Sequence, residues 1–137
     1  MTWTKPEIID NQLTKYNWIV QGVISFELGN YTDIGAFTYI NAKNGVEIHD
    51  YVQIGSHCSI YSQSTIDKKE GMVILKENCK VGSHSLVMPG VTIGENSIVG
   101  AMSLVNQDIP SNCLAYGVPA RVIRKLKPSE ISRRDFK

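Results

Sequence analysis

An aliphatic residue recurs every six positions along most of this chain, often with glycine directly after it, and few backbone architectures accept that period. Three blocks hold it: Leu28, Ile34 and Ile40; then Ile48, Ile54, Ile60 and Ile66; then Leu75, Val81, Val87, Ile93, Val99 and Val105. The step from Ile40 to Ile48 is eight residues and that from Ile66 to Leu75 is nine, so each excess reads as a small bulge or loop. A second, smaller residue stands two places before each aliphatic from Ile34 onward: Thr32, Thr38, Val46, Val52, Cys58, Ser64, Val73, Cys79, Ser85, Val91, Ser97 and Ser103. Six is not a helical period. It suits a short strand that sends one aliphatic and one small side chain inward and then turns. Glycine or asparagine after the aliphatic supplies the turn, because both enter corner conformations at low steric cost. Three such strands make a triangular coil, and coils stacked at the parallel-strand spacing of about 4.8 Å bring like residues into vertical columns. The expected fold is all-β: a parallel β-helix solenoid of somewhat more than four coils over residues 28–110.

The rest of the composition narrows function. With 137 residues the chain is one domain, and 14 basic against 13 acidic side chains give a net charge of +1. That balance excludes the broad positive field of a nucleic-acid binder. The start of the chain lacks a basic segment followed by an apolar stretch, and no run approaches membrane-spanning length. A cytoplasmic protein with no membrane insertion is expected. Cys58, Cys79 and Cys113 are odd in number and lack CxxC spacing, which argues against a disulfide framework. Cys58 and Cys79 fall on the small inward column and read as core. Residues 1–20 have no six-residue spacing and are expected to form an arm or cap over the first coil, since an open solenoid end exposes strand edges. Residues 111–137 form a C-terminal extension, in which Ser129 offers an N-cap to a short helix.

The histidines are His49, His57 and His84. By the repeat spacing they stand on three different faces, which argues against a zinc site built from converging imidazoles, and no metal is expected. No outward threonine ladder marks an ice-binding face. Ser62, Ser83 and Ala101, each two places after an aliphatic, are expected to share one corner column.

The segment from Val81 to Pro110, with Gly82-Ser83-His84 and Met88-Pro89-Gly90, and the following Ala115-Tyr116-Gly117-Val118-Pro119-Ala120-Arg121-Val122-Ile123-Arg124 carry a more specific likeness. They resemble the hexapeptide-repeat acyltransferases, in the branch of galactoside and maltose O-acetyltransferases and bacterial sugar acyltransferases of surface-polysaccharide synthesis. The resemblance covers roughly residues 28–125. It implies left-handed coils, against the usual right-handed crossover, and a homotrimer with active sites between subunits. It also implies acetyl-CoA as co-substrate, lying along a prism corner against small residues. By resemblance Ser83, Ala101 and Asn106 line the pantetheine, Ser62 extends that column, and Arg121 and Arg124 reach the CoA phosphates, which the arginine fork pairs well.

Acyl transfer needs a base for the acceptor's proton and a donor for the oxyanion. The family's base is a histidine in the loop before the last uninterrupted coils, but the matching residues here, 64–71, contain none. His57, between inward positions Ile54 and Cys58, is expected to point outward toward the thioester held by an adjacent subunit. His84 is the second candidate, with packing or an interface as its other role. Loss of the loop base favours an acceptor that needs less help: an amine, partly unprotonated near neutral pH, rather than a hydroxyl. The expected acceptor is an amino sugar, possibly nucleotide-linked, with sugar O-acetylation as the alternative. Tyr61, Ser64 and Asp67 are the candidates for holding it. An inactive family member, recognisable by failure to bind acyl-CoA, is the remaining alternative.

Overall fold

The computed structural model describes residues 2–134; Met1 and positions 135–137 of the expected C-terminal extension lie outside the described residues. Apart from the strands Gln63–Ser64 and Lys69–Glu70, which pair only with each other, the strands pass in rotation through three sheets whose stacked coil strands run parallel. The first sheet stacks Ile19–Gln21, Tyr39–Asn41, Ser59–Tyr61, Leu86–Val87 and Leu104–Val105. The second stacks Phe26–Leu28, Val46–Ile48, Val73–Leu75 and Thr92–Ile93, with Ile109 bridging to Ile93 below them. The third stacks Asp33–Ile34, Gln53–Ile54, Lys80–Val81, Ile98–Val99 and Cys113–Gly117, and ends on the antiparallel strand Ala120–Lys125. The expected solenoid is therefore present.

The core is one aliphatic column per side. Val20, Ile40, Ile60, Val87 and Val105 line the first side, Leu28, Ile48, Leu75, Ile93 and Ile109 the second, and Ile34, Ile54, Val81, Val99 and Ala115 the third, all buried. The small inward column carries polar groups that bond neighbouring coils. Thr38 Oγ1 donates to the Gly55 carbonyl at 2.9 Å, and Ser103 Oγ accepts from the Gly117 amide at 3.1 Å. Inward hydroxyls thereby avoid the penalty of an unpaired buried donor.

Three features depart from the six-residue reading. The coils begin earlier and end later than 28–110, at Ile19 and Gly117. Val20 precedes Leu28 by eight residues because a one-turn 3-10 helix, Val23–Ser25, occupies that corner. The Asp10 carboxylate pins this corner by accepting from the Gly22 and Val23 amides at 2.7 and 2.8 Å. Ile66 is not a core position: it is 95% exposed between the paired strands Gln63–Ser64 and Lys69–Glu70, a hairpin that projects from the solenoid and also takes Ser64 out of the inward column. The extra nine residues thus fall between Ile60 and Leu75. Finally, the short C-terminal helix is a single 3-10 turn, Pro128–Glu130, that starts from Lys127 rather than from a Ser129 cap.

Both termini lie along the solenoid. Trp18 is buried at the first coil, with its ring edge-on to Phe26. Trp3 Nε1 donates to the Thr32 carbonyl at 2.8 Å and Lys5 Nζ to the Leu28 carbonyl at 2.6 Å. From the other end the tail crosses the third side. Lys80 Nζ donates to the Ser132 carbonyl at 2.8 Å, Arg133 pairs with Glu77 at 2.7 Å and lies 4.7 Å over the Tyr51 ring, and Arg134 pairs with Asp33.

Coil stacking is closest at the glycine corners. A Cβ on Gly55 would stand 2.5 Å from the Ser83 nitrogen and 2.7 Å from its Cα, backbone that cannot swing aside. Gly55→Ala should therefore cost about 1–3 kcal/mol, as overpacking does, read as a lower denaturation midpoint. An unchanged midpoint would show that the coils are not in this contact.

Candidate active site at one corner of the solenoid

The corner leading from the third sheet into the first has the same five-residue layout on successive coils. After each aliphatic come glycine, a small residue (Ala36, Ser56, Ser83, Ala101), a residue at φ near +60° (Phe37, His57, His84, Met102) and an inward hydroxyl or thiol (Thr38, Cys58, Ser85, Ser103). Backbone bonds lock the columns together: the His57 amide donates to the Ala36 carbonyl at 3.0 Å, His84 to Ser56 at 3.0 Å and Met102 to Ser83 at 2.9 Å. Small side chains in one column leave a smooth strip of backbone. Beside it runs an exposed ridge of aromatic and sulfur-bearing residues.

The two histidines share that ridge. His57 and His84 stack with ring centroids 4.9 Å apart and planes within 3°, and Phe37 lies 5.4 Å from His57 on the coil before. This corrects the placement of the three histidines on three faces. The 27 residues from His57 to His84 are one 18-residue coil plus the nine inserted with the hairpin, so the pair comes into one column. His49 alone stands elsewhere, at the corner after the second sheet, 3.5 Å from Glu47. His57 also belongs to the same corner of the same chain as Ser83, one coil away.

Ser83 and Ala101 do share a column, but Ser62 does not. Ser62 follows Ile60 of the first sheet, at the next corner, and is fully buried. Its hydroxyl donates to the Asn41 carbonyl at 2.7 Å and accepts from the Asn44 amide at 2.9 Å, so it ties the 41–44 turn to the coil below. The residue that completes the column is Ser56. Asn106 closes the first-sheet strand of the last coil and receives Arg121 Nη1 at 3.4 Å; the same guanidinium donates to the Ala120 carbonyl at 2.8 Å. Arg124 is engaged differently. Both its terminal nitrogens donate to the Glu130 carboxylate at 2.7 Å, an ion pair that holds the Glu130 carboxyl down at about 2.

Next to the ridge, the outer face of the first sheet and the hairpin enclose a cavity of about 610 Å³. Tyr61, Ser64 and Asp67, the expected acceptor residues, all line it. Ser64 hydrogen-bonds the Asp67 carboxylate and, with Lys69 at 3.8 Å, keeps it below the usual carboxylate range, hence ionised. The sheet wall, which Tyr61 shares, also holds residues that the repeat did not single out: Tyr39, whose hydroxyl donates to Gln21 Oε1 at 2.5 Å and whose ring lies 5.8 Å from Tyr61, and Leu86, two residues beyond His84. Burial, reinforced by Tyr61, raises the Tyr39 phenol. Tyr39 and Leu86 both occupy outward positions beside the inward aliphatics, where the six-residue period places no constraint on residue type. The thiols take no part, being buried; burial raises Cys58 and pushes Cys79 up to about 12.

Walls of stacked hexapeptides around a filled core define a class of solenoid whose exposed groups stand on its sides and corners. Residues 72–107 match the family model described as bacterial transferase hexapeptide (six repeats). The chain is 37% identical over 123 residues to the galactoside O-acetyltransferase of Escherichia coli (strain K12), covering 78% of this chain and 60% of that protein. It thus spans about three-fifths of the length of that relative. Among solved structures, a variant of AntD, an N-acyltransferase from Bacillus cereus in complex with dTDP and coenzyme A, superposes with a TM-score of 0.70 at 31% identity, over 80% of this chain and 68% of that one. A hexapeptide-repeat acetyltransferase from Vibrio cholerae O1 biovar eltor, complexed with acetyl coenzyme A, gives 0.74 at 27% identity over 80% and 65%. The chain belongs to the hexapeptide-repeat transferase family.

Ser62→Ala should lower stability by about 1–2 kcal/mol by stranding the Asn44 amide and leave the affinity for acyl-CoA unchanged within twofold. A several-fold loss of affinity at unchanged stability would return Ser62 to the cofactor column.

Proposed function

We propose that the protein is an acetyl-CoA-dependent acyltransferase acting on an amino sugar, in its nucleotide-linked form, for surface-polysaccharide synthesis in the cytoplasm. One juxtaposition carries this reading: the Ser56–Ser83–Ala101 strip and the His57–His84 stack on one corner, bordered by the cavity of Tyr61, Ser64 and Asp67. The pantetheine arm lies along the strip, where small side chains admit it to the backbone, and the phosphates extend toward Arg121 and Arg124. The acceptor sits in the cavity with hydroxyls on Ser64 and Tyr61, and the ionised Asp67 holds its ammonium group until a proton is lost. The amine attacks the thioester carbon, His57 takes the proton released as the C–N bond forms and passes it to the CoA sulfur as the C–S bond breaks, and CoA leaves as the thiol. A histidine base accounts for about 10²–10⁴ in rate.

A homotrimer suits this site. The cavity is a wall of one chain, and the third side is already covered by the chain's own tail through Ser132, Arg133 and Arg134. A neighbouring copy then closes the cleft from the first side. The N-acyltransferase likeness supports an amine acceptor, and the hairpin has no histidine to deprotonate a hydroxyl. The galactoside O-acetyltransferase likeness supports O-acetylation as the second reading.

His57→Ala should lower turnover at least a hundredfold, and His84→Ala much less. Near-wild-type turnover in His57→Ala with a hundredfold loss in His84→Ala would reverse the assignment. In a thiol-release screen with acetyl-CoA, nucleotide-linked amino sugars should react, whereas release with plain hexosides or maltose and none with amino sugars would establish O-acetylation.

A further inference from the structure

We propose that Glu130 is an internal counter-ion that competes with the phosphates of acyl-CoA for the Arg124 guanidinium and so sets how tightly the co-substrate is held. The inference rests on the reading above that the phosphates reach Arg121 and Arg124. The two arginines stand three residues apart on the strand Ala120–Lys125, but their surroundings differ. Arg121 bonds an amide oxygen and a backbone carbonyl, both neutral, so its charge is still available to an anion. Arg124 is filled. Its two terminal nitrogens meet the two Glu130 oxygens at 2.7 Å each, the bidentate geometry in which an arginine also receives two phosphate oxygens.

Glu130 is held ready for that role. It lies six residues beyond Arg124, on a 3-10 turn whose Lys127 amide donates to the same carboxylate at 2.8 Å. The tail after it is anchored again at Ser132 and Arg133, so the carboxylate stays at high local concentration beside Arg124. With its carboxyl pulled down to about 2, Glu130 remains anionic throughout the working pH range, and a phosphate must displace a full charge. The pair is exposed, so displacement exchanges one charge-assisted contact for another rather than opening a buried one.

The test is a double-mutant cycle read as CoA affinity by calorimetry, using wild type, Glu130→Gln, Arg124→Gln and the double variant, with thermal melts to confirm that each is folded. Glu130→Gln should tighten CoA binding by about three- to fivefold, the size expected for releasing one partner of an exposed ion pair. The same change made in Arg124→Gln should give no gain. A gain below twofold in Glu130→Gln, or a gain that persists without Arg124, overturns the proposal: Glu130 would then serve only to fasten the tail. If none of the four proteins binds CoA, it is the placement of the co-substrate on this corner that fails.

Discussion

Everything else in this molecule depends on close backbone contact between successive coils at the glycine corners. The Gly35 amide donates to the Ile54 carbonyl, Gly55 to Val81, Gly82 to Val99 and Gly100 to Ala115, at 2.8–2.9 Å throughout. Those bonds require the corner position to carry no side chain, because a Cβ at Gly55 would meet Ser83 backbone. Once the rise is uniform, each chemical property written at one place in the hexapeptide is repeated vertically. The strip of small residues, the ridge of Phe37, His57, His84 and Met102, and the inward hydroxyls are all consequences of that stacking.

The same geometry limits what a single chain can do. A solenoid of this width has its interior filled by three aliphatic columns, so a ligand can only lie against a side or a corner. The hairpin at 63–70 is the one large departure from regular coils, and its effect is to raise a rim beside the first side and turn a flat wall into a cavity. Its ionised Asp67 gives that cavity a negative charge. The N-terminal arm and the C-terminal tail meanwhile lie against the outside of the coils, the tail crossing the third side.

Much of the fold was legible in the sequence because a six-residue period leaves a strong signal in the core. Its limits were physical. The first coil, at Val20, was hidden because a 3-10 turn lengthens its corner and breaks the spacing. Ile66 falls in phase with the core column, yet hairpin pairing between Gln63–Ser64 and Lys69–Glu70 lifts it into solvent. The hairpin also hides the histidine pair from the count: with the nine inserted residues placed after Ile60, the six-residue spacing puts His57 over His84. Ser62 was misplaced because counting from an aliphatic does not say which of the three corners follows it. The acceptor candidates Tyr61, Ser64 and Asp67 came together, whereas Tyr39 and Leu86 were missed because the outward positions of a repeat carry no spacing signal of their own. The Arg124–Glu130 pair depends on the path of the tail, which no repeat dictates.

The proposed reaction depends on acyl-CoA lying on the corner between the third and first sides. A crystal structure of the protein soaked with CoA tests this most directly. The account predicts pantetheine density against Ser83 and Ala101, with the thiol within reach of the His57–His84 stack. Density for CoA along either of the other two corners, with the Ser83 strip bare, would contradict it.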